Sequence, residues 1–210
     1  MNRKWFVWCT VLTLLEIALV APLSLRRITP GAREPIAKEP DVEIQAALLG
    51  AGAAAAVTLV MWLAQRYRER RMLTFDFHRE LSSAEFGLVR ARADTFLKKH
   101  PHGSFEDVSR EARDVADDTS DLNVNIWVVA RFYQRLEIAR LHNELEVSLL
   151  PELFGDIFYW WFHKHFKDRL VVTHSDYETS RAIDSFNKWL EQNATREQKE
   201  RWRRNLVSAA

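Results

Sequence analysis

A single cysteine, Cys9, stands in 210 residues. No disulfide can therefore form within one chain, and a thiol inside an apolar run speaks against thiol chemistry. No lipobox-like run precedes it. No low-complexity run and no internal repeat breaks the chain. Excess charge is also lacking: 30 Lys and Arg stand against 29 Asp and Glu, and residues 73–210 hold 20 against 23. General nucleic-acid binding needs concentrated cations that release counterions, so nucleic acid enters only indirectly, if at all. No segment alternates at period two, which excludes a sheet. Glycine-rich nucleotide loops are missing too, because GAGAAAA at Gly50–Ala56 follows no strand. Thr173–Asp176 (THSD) holds residue types of a catalytic triad but no G-x-S-x-G elbow, and it reads equally as a helix start.

What is present is a pair of apolar segments, Trp5–Leu25 and Ile44–Ala64, each of 21 residues. At about 1.5 Å per residue either one crosses a hydrocarbon core roughly 30 Å thick. The charged, Pro-bearing stretch Arg26–Glu43 between them makes the expected arrangement a two-helix transmembrane hairpin. Arg3 and Lys4 precede the first span, and Arg66, Arg68, Arg70 and Arg71 follow the second. Trp5, Phe6 and Trp8 open the first, while Trp62 and Tyr67 close the second, so the aromatic rings mark one headgroup boundary. The expectation is a multi-pass protein of the bacterial inner membrane with both termini cytoplasmic. A cleaved leader is the competing reading of the first span. Its apolar stretch is too long for that, contains Glu16 and lacks a small-x-small site.

Within the hairpin, Glu16 carries a cost of roughly 2.5–3.5 kcal/mol near mid-bilayer on insertion scales. Thr13 or Thr58 can satisfy it as a neutral acid; alternatively it joins protomers or lines a membrane opening. Gly50, Gly52, Ala54 and Ala56 form small-xxx-small pairs that allow close helix approach, within one hairpin or in a homo-oligomer.

Residues 1–72 thus form the membrane hairpin and 73–210 a cytoplasmic helical domain, all-α throughout. Arg66–Glu80 continues the second span as a stalk. Ser82 or Ser83 caps a helix bearing Phe86, Val89, Ala93, Phe96 and Leu97, which ends near His100. Ser104 caps a short acidic helix, and Asp117–Asp121 forms a turn. Leu122–Leu145 carries the longest stripe: Ile126, Val129, Phe132, Tyr133, Leu136, Ala139 and His142 or Asn143. Pro151 starts a helix with Leu153, Phe154, Ile157, Phe158, Trp161 and His165 on one face. After a break at Val171–Ser175, Asp176 caps a helix with Ile183, Phe186, Trp189 and Leu190. Thr195 caps the last, with Trp202 and Leu206.

The run NIWVVARFYQRLEIARLHNELEVSLLPELFGDIFYWWFHKHFKDRL resembles the core of a bacterial family of domains of unknown function. Members pair an aromatic-bearing helix (Phe132, Tyr133) with a Leu-Phe-Gly helix ending in aromatics, often behind N-terminal membrane spans. That resemblance implies no reaction. The architecture is also similar to two-span membrane effectors of phage-defence systems, including retron and cyclic-nucleotide ones, an association of form alone.

Candidate sites are correspondingly few. His163 and His165, two apart on a helix, point about 200° from each other and cannot chelate one ion. His100, His102 and His174 have no companion ligand at metal spacing. No metal, cofactor or catalytic residue is assigned. IFYWWF (Ile157–Phe162) is apolar all round, which places Tyr159, Trp160 and Trp161 either in deep burial or at an interface. Arg196, Lys199, Arg203 and Arg204 form a basic patch: a solvated face, or a contact for anionic lipid or RNA. The expected function is a non-enzymatic membrane effector or regulator acting through association with a cytoplasmic protein partner. A passive tethered adaptor and an unrecognised hydrolase at Thr173–Asp176 are the alternatives.

Overall fold

The computed structural model describes residues 40–100, 107, 120–172 and 177–208. The first expected span with Glu16, the acidic helix after Ser104, and Thr173–Asp176 lie outside them. Contacts divide the chain into two units, Met1–Gln65 and Arg66–Ala210. Every regular element among the described residues is a helix.

Helix α1, Pro40–Ser82, runs for 43 residues. It starts four residues before the expected second span, at a proline whose missing N–H is harmless in a first helical turn. Its segment Ala47–Ser82 is long and apolar enough to cross a membrane. No large side chain from Leu48 to Leu63 is buried: Leu48, Met61 and Trp62 are all more than half exposed.

In the second unit, α2 (Ala84–Lys99) begins where the Ser83 hydroxyl accepts the Phe86 N–H at 3.1 Å. Phe86, Ala93, Phe96 and Leu97 are buried, following the expected stripe. α3 (Ser120–Leu141) buries Ile126, Val129, Phe132, Tyr133, Leu136 and Ala139. It stops short of the expected Leu145, leaving His142 and Asn143 exposed. Asn143 takes the left-handed conformation (φ 56°) and the Glu144 N–H donates back to Ala139 O at 2.9 Å, a closure that ends the helix. The link is then pinned to α1, because Thr74 Oγ1 accepts the Glu146 N–H at 2.9 Å.

The helix expected from Pro151 is three pieces. A 3₁₀ turn, Val147–Leu149, leads into α4 (Leu150–Leu153), and α5 (Gly155–Trp161) follows a break at Phe154. The chain then widens into a π-helix, Phe162–Val171. Phe158, Phe162, Phe166 and Leu170 are all buried and recur every four residues. That spacing overshoots an α-helical face by about 40° per step. Turns closed by i→i+5 bonds hold more residues and bring the row back onto one side.

α6 (Glu178–Asn193) buries Ile183, Phe186 and Leu190. Its cap position is Tyr177, which makes no side-chain capping bond, rather than the expected Asp176. α7 (Arg196–Ser208) opens on a reciprocal pair: Thr195 Oγ1 accepts the Gln198 N–H at 3.2 Å, and Gln198 Oε1 accepts the Thr195 N–H at 2.9 Å. The core is aromatic. Tyr133 and Phe158 meet edge-on with centroids 4.9 Å apart, and Phe158 meets Phe186 the same way at 4.8 Å.

Candidate functional site

The π-helix is held to α2 at two points. His165 is buried, and its Nε2–H donates to Asp94 Oδ1 at 2.9 Å. Arg169 donates to the Leu97 carbonyl at 3.0 Å, satisfying one of the free acceptors at the end of α2. Asp94 Oδ2 takes Lys98 at 2.8 Å. Burial outweighs the Asp94 contact and pushes the His165 imidazole down to about 4, so it is neutral near pH 7.

Beside this pair a groove of about 390 Å³ opens between α2, α5 and α7. Its lining residues include Arg90, Asp94, Asp156, Ile157, Trp160 and Asn205. Asn205 Nδ2 lies 2.9 Å from both Asp156 carboxylate oxygens. Arg90 differs from every other charged group there. Its Nε is buried without a hydrogen-bond partner, and its guanidinium lies 5.9 Å from the Phe86 ring centroid. Among the lining residues none is a serine, threonine, cysteine or lysine.

The aromatic run separates residue by residue. Tyr159 is in the core, with centroids 4.2 Å from His163 and 5.7 Å from Trp202. Trp161 is buried against His165 at 4.9 Å and Phe166 at 5.7 Å. Both side chains thus pack in the domain's own core. Trp160 is only half-buried, with Lys98 Nζ 5.8 Å from its ring centroid. It keeps the most surface of the three, and both it and Trp161 line the groove.

His163 and His165 face different surroundings, Tyr159 on one side and Asp94 on the other. In the basic patch, Arg196 is paired with Glu200 at 2.7 Å. Arg203 and Arg204 are exposed and Lys199 half-buried, none of the three in an ion pair among the described residues. In the first unit, a Cβ on Gly50 or Gly52 would meet nothing within 4 Å. The Thr58 hydroxyl donates one turn back to Ala54 O at 2.9 Å.

Sequence reasoning missed Arg90 and Asp94, which read as ordinary polar positions of an amphipathic helix. It also missed Glu137, fully buried inside the α3 stripe. Glu137 accepts two bonds from Arg140, at 2.6 and 2.7 Å, and one from the Ser185 hydroxyl at 2.6 Å. Its one signal is the spacing, a carboxylate beside Leu136 with an arginine three residues on.

The chain matches no family model, no curated protein and no solved structure.

Proposed function

We propose that this chain is an integral protein of the bacterial inner membrane that works by association rather than catalysis. The observation that carries the reading is the apolar stretch of α1, where Leu48, Leu49, Val57, Leu59, Met61, Trp62 and Leu63 are each about half exposed or more among the described residues. In water such a surface costs about 25 cal/mol per Å², and a lipid bilayer is the solvent that removes the cost. With Trp5–Leu25 as the other span, the hairpin places both termini in the cytoplasm. The helical domain then meets a cytoplasmic partner and the hairpins meet each other, as in the two-span effectors of phage defence that the architecture resembles.

Topology tests the reading directly. A reporter fused after Ala210 should behave as cytoplasmic and one inserted at Gly31 as periplasmic, with the chain resisting alkaline extraction. The reverse pattern, or a shortened soluble product, would refute it. Effector and passive anchor separate in the same cells. An effector halts growth or depolarises the membrane when expressed alone, and Glu16→Leu abolishes this while preserving insertion. An anchor is harmless and accepts a foreign hairpin of equal length.

A further inference from the structure

We propose that the side of α1 carrying Arg68 and Arg71, just past the apolar stretch, is a binding surface for the headgroups of anionic phospholipids. The proposal rests on the membrane reading and adds to it the class of lipid that gathers round the helix.

Placement along one helix selects the partner. α1 runs unbroken from Pro40 to Ser82, so Arg68 and Arg71 lie four and seven residues beyond Ala64, where the apolar stretch ends. At about 1.5 Å per residue those are rises of roughly 6 and 10 Å. The headgroup layer on either side of a hydrocarbon core is about 5–8 Å deep. A long arginine side chain bridges the small remainder. Trp62 and Tyr67, both exposed, supply the amphipathic rings that settle at the same boundary. The bilayer itself therefore holds phosphate groups at the level of these two arginines.

Charge balance selects the sign. Three residues apart, Arg68 and Arg71 leave the helix on one side. Both are exposed, and neither forms an ion pair among the described residues. No carboxylate stands three or four residues from either, where Gln65, Met72, Thr74 and Phe75 are found instead. The Arg71 guanidinium lies 5.7 Å from the Phe75 ring centroid, a contact that leaves its charge in place. Arg66 and Arg70 differ, because they border a cleft of about 160 Å³ together with Glu69 and Glu144. Their charge is offset within the chain, and that of Arg68 and Arg71 is not. Like charges three residues apart repel, and a phosphate between two guanidinium groups removes the repulsion through charge-assisted hydrogen bonds. A choline headgroup brings its own cation to the same place, whereas a glycerol headgroup does not. The surface therefore favours phosphatidylglycerol over phosphatidylcholine.

The full chain reconstituted in phosphatidylcholine bilayers with trace spin-labelled lipid tests this, because electron paramagnetic resonance separates lipid held at the protein from lipid in the bulk. Labelled phosphatidylglycerol should associate about fivefold more strongly than labelled phosphatidylcholine. The preference should shrink in about 1 M salt. Arg68→Gln combined with Arg71→Gln should lower it to about half or less. Arg203→Gln combined with Arg204→Gln, on α7, should leave it unchanged. Held phosphatidylcholine with no preference for phosphatidylglycerol overturns the proposal and leaves the membrane reading standing. No held lipid of either kind overturns both. A preference that salt leaves intact, an α1 double variant that keeps all of it, or an α7 double variant that loses it overturns the assignment to Arg68 and Arg71. Held phosphatidylcholine reports the insertion of each variant, and the single substitutions Arg68→Gln and Arg71→Gln decide the assignment if the double variant fails to insert.

Discussion

Gly155 opens α5 directly against the indole of Trp202, and adding one methyl group there should unsettle the whole contact between α5 and α7. A Cβ at this position would lie 2.1 Å from Trp202 Cζ2, 2.7 Å from Cε2 and 2.8 Å from Cη2. None of these distances is tolerable, so either the helix or the indole must move. Trp202 is 1% exposed and packs against Tyr159, which leaves its ring no solvent to retreat into. Overpacking of this kind costs about 1–3 kcal/mol. Alanine's better helix propensity returns up to about 1 kcal/mol. Gly155→Ala should therefore lower stability by about 1–2 kcal/mol, or a melting temperature roughly 3–8 °C below the unaltered chain. Near-UV circular dichroism of the full chain during heating reads this out, because the buried indoles supply the signal. Trp202→Phe removes the ring atoms that clash. In that background Gly155→Ala should be neutral or stabilising, so the two substitutions must couple. Equal effects of Gly155→Ala in both backgrounds, or a melt at or above the original in the first, would refute the packing argument.

Glu137→Ala should cost about 3–5 kcal/mol, because it strands Arg140 in a largely buried position with no carboxylate; denaturant unfolding checks it, and a loss under 1 kcal/mol would show that the pair is dispensable. Stability should also fall with acid in a defined window. His165 titrates near its ordinary 6.5 when unfolded but at about 4 when folded, so the unfolded chain binds the extra proton between those values. Its contribution is complete above pH 6.5 and lost as pH falls towards 4, by up to about 3 kcal/mol. His165→Gln should flatten the stability profile in that window by close to one proton; an unaltered slope would mean the imidazole is not held neutral by burial.

Apolar periodicity carried much of the helical unit. Ser83 and Thr195 were legible as caps because a hydroxyl before an apolar repeat satisfies free N–H groups locally. The stripes of α2, α3 and α6 were legible because a helix buries one face whatever covers it. α1 was legible for a related reason, since a run of apolar residues long enough to span lipid needs no partner to be recognised. Its start at Pro40, the stop of α3 at Asn143 and the break at Phe154 were not. The stop of α3 depends on backbone closure from Glu144 to Ala139 and on a neighbour distant in sequence, Thr74 receiving Glu146.

The sequence by itself determined the helical class, the faces that go inward and the presence of an apolar segment fit for a membrane, because these follow from the order of residues along one helix. Only the tertiary structure decided which of three adjacent aromatics stays at the surface. IFYWWF is apolar in every direction, so Tyr159 is buried because Trp202 arrives from α7, Trp161 is buried beside a His165 that Asp94 of α2 holds, and Trp160 is left half-buried beside the groove. The same holds for Arg90, an ordinary helix arginine until α5 and α7 form a groove beside it.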